Sequence, residues 1–147
     1  MKIDDKDMSI LKHLLVDAKQ SARQLSQRFG ISTVTMISRL KKLEANKIIL
    51  GYSVRLNHEL LGYDITGIIE IKTNQGKMLE IENEIAKQDN VIAVYDITGD
   101  ADTLVIAKFK DRKSLSVFVK KLSTIPHVEN TVTHIVLNTI KEDTRLI

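Results

Sequence analysis

The chain has 147 residues, room for one ordinary domain or two small ones, and its 43% hydrophobic and 28% charged residues place it among globular rather than disordered chains. The absence of cysteine excludes a disulfide framework and a thiolate metal site, and no apolar run approaches the roughly 18 residues of a membrane span. The net charge of +3 is unevenly spread: residues 1–62 carry eleven Lys/Arg against six Asp/Glu, residues 63–147 eleven against thirteen. Between Lys19 and Lys47 seven basic residues face one acidic residue, which points the first part of the chain at a polyanion.

The opening MKIDDKDMSIL is acidic and too poor in apolar residues for a signal peptide, so the expected location is the cytoplasm. Asp4 suits a helix N-cap, with Asp7 at the third helical position and Ile3 and Met8 at staple spacing. Met8, Leu11, Leu15 and Ala18, with Leu14 beside them, predict the buried stripe of this first helix. Ser21 and Gln24 form a capping box for a second helix that buries Ala22, Leu25 and Phe29. It ends at Gly30, which tolerates a left-handed turn. Ser32 caps a third helix whose inner side carries Met36, Leu40 and Leu43. Helix, tight turn and helix make a helix-turn-helix, with the glycine at the bend.

The third helix carries short polar and basic residues outward. Ser32, Thr33, Val34, Thr35, Ser38, Arg39, Lys41 and Lys42 are therefore the candidate DNA-binding residues. Val34 matches a thymine methyl, Arg39 a guanine edge or a phosphate, and the lysines phosphate. Ile48, Ile49, Tyr52, Val54 and Leu56 surround Gly51 and predict a short hairpin, or wing, with Arg55 near the backbone of a duplex. The domain plan is 1–57 for a winged helix-turn-helix, 58–63 for a linker and 64–147 for a second domain.

In that second domain Ile65, Gly67, Ile69 and Ile71 alternate with Thr66, Ile68, Glu70 and Lys72, the period of a strand. Gln75-Gly76 predicts a turn, and Met78, Ile81 and Ile85 a helix. VIAVYDIT and TLVIAKF predict two strands joined through Gly99. Leu115, Phe118, Val119 and Leu122 predict a helix ended by Ile125-Pro126, and a last strand runs from Val128 to about Ile140. The order is the βαββαβ of the ferredoxin-like motif, giving an α+β fold overall. Strict alternation puts Ile92 and Val94 on one face and Val91, Ala93 and Tyr95 on the other. With Leu104 and Ile106 opposing Val105 and Ala107, both faces of the sheet are apolar, so a second copy of the chain is expected on the face without helices.

The segment TGDADT, residues 98–103, places Asp100 and Asp102 beside a glycine turn. By itself it leaves open a catalytic pair, a metal site, a ligand loop or a solvated turn whose aspartates bond their own backbone. Two carboxylates are too few oxygen donors for a metal, and His13, His58, His127 and His134 show no zinc spacing. No nucleophile elbow or phosphate-cradling glycine loop is present.

SARQLSQRFGISTVTMISRLKKLEANKIILGY resembles the helix-turn-helix of the leucine-responsive regulators, the Lrp/AsnC family, and IDDKDMSIL and TGDADT resemble that family's opening segment and hairpin loop. The resemblance covers nearly the whole chain; Met36 and Ile37 depart from the family's third-helix pattern. It implies a sequence-specific transcriptional regulator of double-stranded DNA, modulated by a small molecule such as an amino acid, and a homodimer assembling further, up to octamers. Gly99, Asp100, Ala101 and Asp102, with Thr131, Thr133 and His134 from the last strand, are the implied effector-binding residues. No cofactor, metal or membrane is implied. An enzyme of related architecture, resembling sirohaem decarboxylases, is the alternative, and it requires a basic, histidine-bearing pocket.

Overall fold

Short polar side chains decide where the helices begin. In the computed structural model, which describes residues 2–74 and 78–147, Asp4 accepts the Asp7 amide at 2.7 Å to open α1, Asp5–Val16. Ser21 and Gln24 exchange bonds to open α2, Ala22–Phe29, and Ser32 caps α3, Thr33–Ala45. Gly30 closes α2 with φ 62°, a left-handed conformation that a side chain strains. At the end of α3 the Lys47 amide bonds the Glu44 carbonyl and the Ile48 amide the Leu43 carbonyl, with Lys47 itself at φ 56°. This double closure turns the chain back so that Ile49 packs on the helices.

The N-terminal core consists of Ile10, Leu14, Leu25 and Met36, ringed by Ala22, Phe29, Ile31, Leu40 and Ile49. Ile10 and Met36 are wholly buried, and each such side chain stabilises the fold by about 1.5–3 kcal/mol. The stripe expected on α1 is corrected: Leu15 is 37% exposed and Ala18 exposed, while Asp7, Ile10 and Leu14 turn inward. Both sets recur at helical spacing. The inward set is the one that also lets Asp7 meet Arg39 on α3.

The expected wing is also corrected. No described residue between α3 and Ile65 lies in a strand, and Gly51 does not adopt the positive φ that tight hairpin turns require. The segment instead runs without regular structure, and the Tyr52 hydroxyl donates to Glu44 of α3 at 2.9 Å.

The second unit contains β1 (Ile65–Thr73), α4 (Met78–Ile85), β2 (Val91–Asp96), β3 (Thr103–Phe109), α5 (Arg112–Ser123) and β4 (Val128–Ile135). These give a four-stranded antiparallel sheet in the order β2-β3-β1-β4. One face, carrying Ile69, Ile71, Val105, Ala107 and Phe109, packs with Ile81 and Ile85 of α4 and Leu115, Phe118 and Leu122 of α5. Gly67 belongs here for a steric reason: a Cβ on it would stand 3.3 Å from the Phe109 ring. The turn expected at Gln75-Gly76 lies outside the described residues.

Two strand readings change. A β-bulge between Val91 and Ala93 puts Val91 and Val94 against the same core, breaking the strict alternation expected of β2. β4 stops at Ile135, not near Ile140, because its ladder with β1 runs out at Gly67 and closes with the Val136 amide on the Thr66 carbonyl.

The chain divides into two compact units, Met1–Arg55 with Glu142–Ile147, and Leu56–Lys141. The last six residues, expected within the second domain, group with the first unit, since no sheet bond holds the chain beyond Val136. There Asp143 receives the Arg145 guanidinium at 2.7 Å, and that bond, then the Arg145 amide and the charge of Arg55, hold its carboxyl well below the usual carboxylate range. No helix among the described residues is long and apolar enough to cross a membrane.

Candidate DNA-reading helix and ligand depression

α3 follows the Gly30 turn, so its first residues project from the end of the helix pair. Val34 is 78% exposed, and Thr35, Ser38, Lys41 and Lys42 are exposed as well. Val34, Thr35, Ser38, Arg39 and Lys42 line an open cleft of about 460 Å³ that also reaches Lys2, Asp4 and Asp7. Two of the candidate hydroxyls have internal work: Ser32 caps the helix and bonds the Thr35 hydroxyl at 2.8 Å, and Thr33 bonds Ser26 of α2 at 3.0 Å.

Arg39 differs from its neighbours. Its guanidinium donates to Asp4 at 2.8 Å and to the buried Asp7, tying the middle of α3 to the start of α1. Asp4 and then Asp7 hold Arg39 firmly in its charged form. In turn the Asp7 amide, and next Arg39, keep the Asp4 carboxyl below its ordinary range. Arg39 therefore sits in the cleft with its charge already answered, whereas Lys41 and Lys42 are exposed.

At the other site, Asp100 and Asp102 have different surroundings. Asp102 accepts the Thr73 amide at 2.7 Å and the Thr73 hydroxyl at 3.2 Å, and its own amide bonds the Ile71 carbonyl. It closes the β2–β3 turn onto the end of β1. Gly99 reaches φ 131°, Ala101 is buried, and Asp100 is exposed. Asp100 and Ala101 border a depression of about 220 Å³ whose other walls are Glu70, Lys72, Asn130 and Val132.

This set differs from the expected one in a way strand geometry explains. Thr131 and Thr133 pair with Ile71 and Ile69, so they share the helix-covered face and do not reach the depression. Asn130 and Val132, their alternates, do. His134 is on the open face too, 3.4 Å from Glu70, but outside the depression's walls. Glu70 and Lys72 were missed, although the alternation of β1 places them on the face away from the core. The missing information was the β1–β4 register, which no local pattern specifies.

Two family models match the chain, an AsnC-type helix-turn-helix domain over residues 3–44 and an Lrp/AsnC ligand-binding domain over residues 66–146. The chain belongs to the Lrp/AsnC family. It is similar to an HTH-type transcriptional regulator of Pyrococcus furiosus, 44% identical with 99% of both chains covered. The HTH-type transcriptional regulator FL11 of Pyrococcus abyssi is 36% identical over 99% of this chain and 97% of its own. Among solved structures, a Neisseria meningitidis transcriptional regulator in complex with L-Met superposes with a TM-score of 0.90 at 27% identity, covering 99% of this chain and 97% of that one. This Lrp/AsnC chain is thus a DNA-binding transcriptional regulator with a ligand-binding domain, an assignment that fits the basic helix behind the Gly30 turn.

Proposed function

We propose that this Lrp/AsnC regulator reads duplex DNA with α3 and senses an amino acid at the depression beside the β2–β3 turn. The observation carrying the first part is the exposed row Val34, Thr35, Ser38, Lys41 and Lys42 on a helix that the Gly30 turn sets outward. Val34, Thr35 and Ser38 near the helix start face base edges; Lys41 and Lys42 meet phosphates; Ser32 and Thr33 set the helix start that presents them. Arg39 fixes the helix to its scaffold in this reading.

For the second part, Asp100 offers a carboxylate to an α-ammonium and Lys72 an ammonium to an α-carboxylate across the same depression. Gly99 keeps the approach open, Ala101 forms the floor and Asp102 holds the turn in shape. The L-Met bound by the similar Neisseria regulator supports an amino acid as the class of effector. Thr131, Thr133 and His134 have no direct place in this version of the site.

The chain acts as a homodimer or a larger assembly, joined through the open sheet face. Tyr95 and Val132 are 53% and 43% exposed there, beside Ile68, Leu104 and Ile106. Two reading helices then address major grooves about 34 Å apart. In place of the expected 1–57, 58–63 and 64–147, the reader is the unit Met1–Arg55 with Glu142–Ile147 and the sensor the unit Leu56–Lys141, and the chain works in the cytoplasm. The chain has no catalytic part in this reading: the depression is walled by Glu70, Asp100 and Lys72, a mixed and net acidic set without a histidine, rather than by the basic, histidine-bearing pocket of a tetrapyrrole decarboxylase.

Selection of duplexes from random DNA by the full chain, with and without each amino acid, tests the proposal. A defined sequence motif whose occupancy changes with one amino acid is the expected result. Enrichment of no motif removes the reading role, and a motif indifferent to every amino acid removes the effector role.

A further inference from the structure

The second unit is acidic as a whole, yet one stretch of it runs the other way. Residues 108–121 hold six Lys/Arg and a single acidic residue, Asp111. Much of that charge borders a groove of about 680 Å³ along α5, with Lys110, Lys113 and Lys121 on its rim and Tyr63 and Val117 among its apolar walls. None of these three lysines is ion-paired with a carboxylate among the described residues. Lys121 bonds the neutral Gln88 side chain at 3.1 Å, and the Lys110 ammonium lies 5.5 Å from the Tyr63 ring centre. Asp111, the one carboxylate in the groove, is already committed. It accepts the Ser114 amide at 2.7 Å as the cap of α5, which holds its carboxyl below the usual range. The helix start is thereby closed, and the charge available to a ligand comes from the lysines.

We propose that this groove is a second DNA-backbone contact, separate from α3. Spacing selects a polymer over a small anion. Lys113 and Lys121 are eight residues apart on one helix, about 12 Å along its axis, so one phosphate meets both only when the two long side chains bend toward each other. A duplex carries one charge per ~1.7 Å of its axis, so a continuous strand satisfies lysines strung in this way. The exposed Val117 between them gives the sugars an apolar surface. Charge complementarity with the polyanion this regulator already binds decides for DNA over an acidic peptide.

The test uses the full chain on a long mixed-sequence duplex, where charge rather than base sequence sets affinity. The triple variant Lys110→Gln, Lys113→Gln, Lys121→Gln is expected to reduce the slope of log affinity against log salt by about 2–3, near 0.9 for each phosphate left without its lysine. The corresponding triple arginine variant keeps the parental slope. An unchanged slope in the glutamine variant overturns the proposal, including the case where the groove proves to bind an acidic peptide or anionic vesicles. So does an arginine variant that falls as far as the glutamine one, because the loss is then structural. Lys41→Gln with Lys42→Gln probes α3 independently, so failure of the groove and failure of the reading helix are told apart.

Discussion

α3 and the β2–β3 turn each present a charged residue to solvent and spend a similar one inside the fold. On α3 the exposed charges are Lys41 and Lys42, and the spent one is Arg39, shared between Asp4 and Asp7. In the turn the exposed charge is Asp100, and the spent one is Asp102, bonded to Thr73. The routes differ. On the helix, angular position turns residue 41 away from α1, while Lys42 borders the same cleft as Arg39 but stays exposed there and has no ion pair with Asp4 or Asp7 among the described residues. In the turn, two residues of chain reverse the direction of the carboxylate, and a backbone amide rather than an opposite charge receives it. Neighbours of like chemistry can therefore carry unrelated duties, and the partner each one meets distinguishes them.

The sharpest way to break this comparison is Arg39→Ala. It strands the buried Asp7 carboxylate, and the N-terminal unit should lose about 2–3 kcal/mol, toward the low end for breaking a buried pair because Arg39 keeps a quarter of its side chain in water. Denaturant unfolding checks this, and a variant as stable as the parent returns Arg39 to the candidate base readers. Next is Asp102→Ala, which unties the Thr73 amide and hydroxyl and should cost about 1.5–3 kcal/mol. Asp100→Ala should stay within about 0.5 kcal/mol of the parent yet abolish amino-acid uptake in calorimetry. Equal destabilisation by the two substitutions contradicts the division of labour in the turn.

Lys41→Ala with Lys42→Ala should leave stability within about 0.5 kcal/mol while lowering the salt slope of duplex binding by about 0.9 for each phosphate released. Mobility-shift titrations at several salt concentrations read the difference. The smallest expected effect concerns pH. The Asp4 carboxyl is held below its ordinary 3.8 mainly by the Asp7 amide and then by Arg39. Its stabilising contribution is complete above that value and is lost as pH falls through the lower folded one. Acid unfolding of the parent should thus show a decline below pH 3.8 that Asp4→Asn shifts, followed by far-ultraviolet circular dichroism.

Elements with local instructions were legible in the sequence. The caps at Asp4, Ser21 and Ser32, the Gly30 turn and the apolar spacing of Leu115, Phe118 and Leu122 on α5 all act within about two turns of chain, and the structure follows them. What escaped depends on partners far away. The buried side of α1 was ambiguous between two periodic stripes until Arg39 supplied a mate for Asp7. The bulge in β2 and the register of β4 belong to strand pairs, and with them went Glu70, Lys72, Asn130 and Val132 of the depression. The expected wing rests on the apolar residues Ile48, Ile49, Tyr52, Val54 and Leu56 around Gly51, whose backbone does not make the required turn.

The return of Glu142–Ile147 to the first unit makes the reader discontinuous in sequence and leaves the sensor as one uninterrupted insert. The two are thus unequal as building blocks. The sensor can be cloned out or transplanted as a single cassette, Leu56–Lys141, whereas a stop codon after Arg55 yields a reader missing its last strip of chain. A cut after Lys141 therefore removes chain from the first compact unit, although the match to the ligand-binding family model runs on to residue 146.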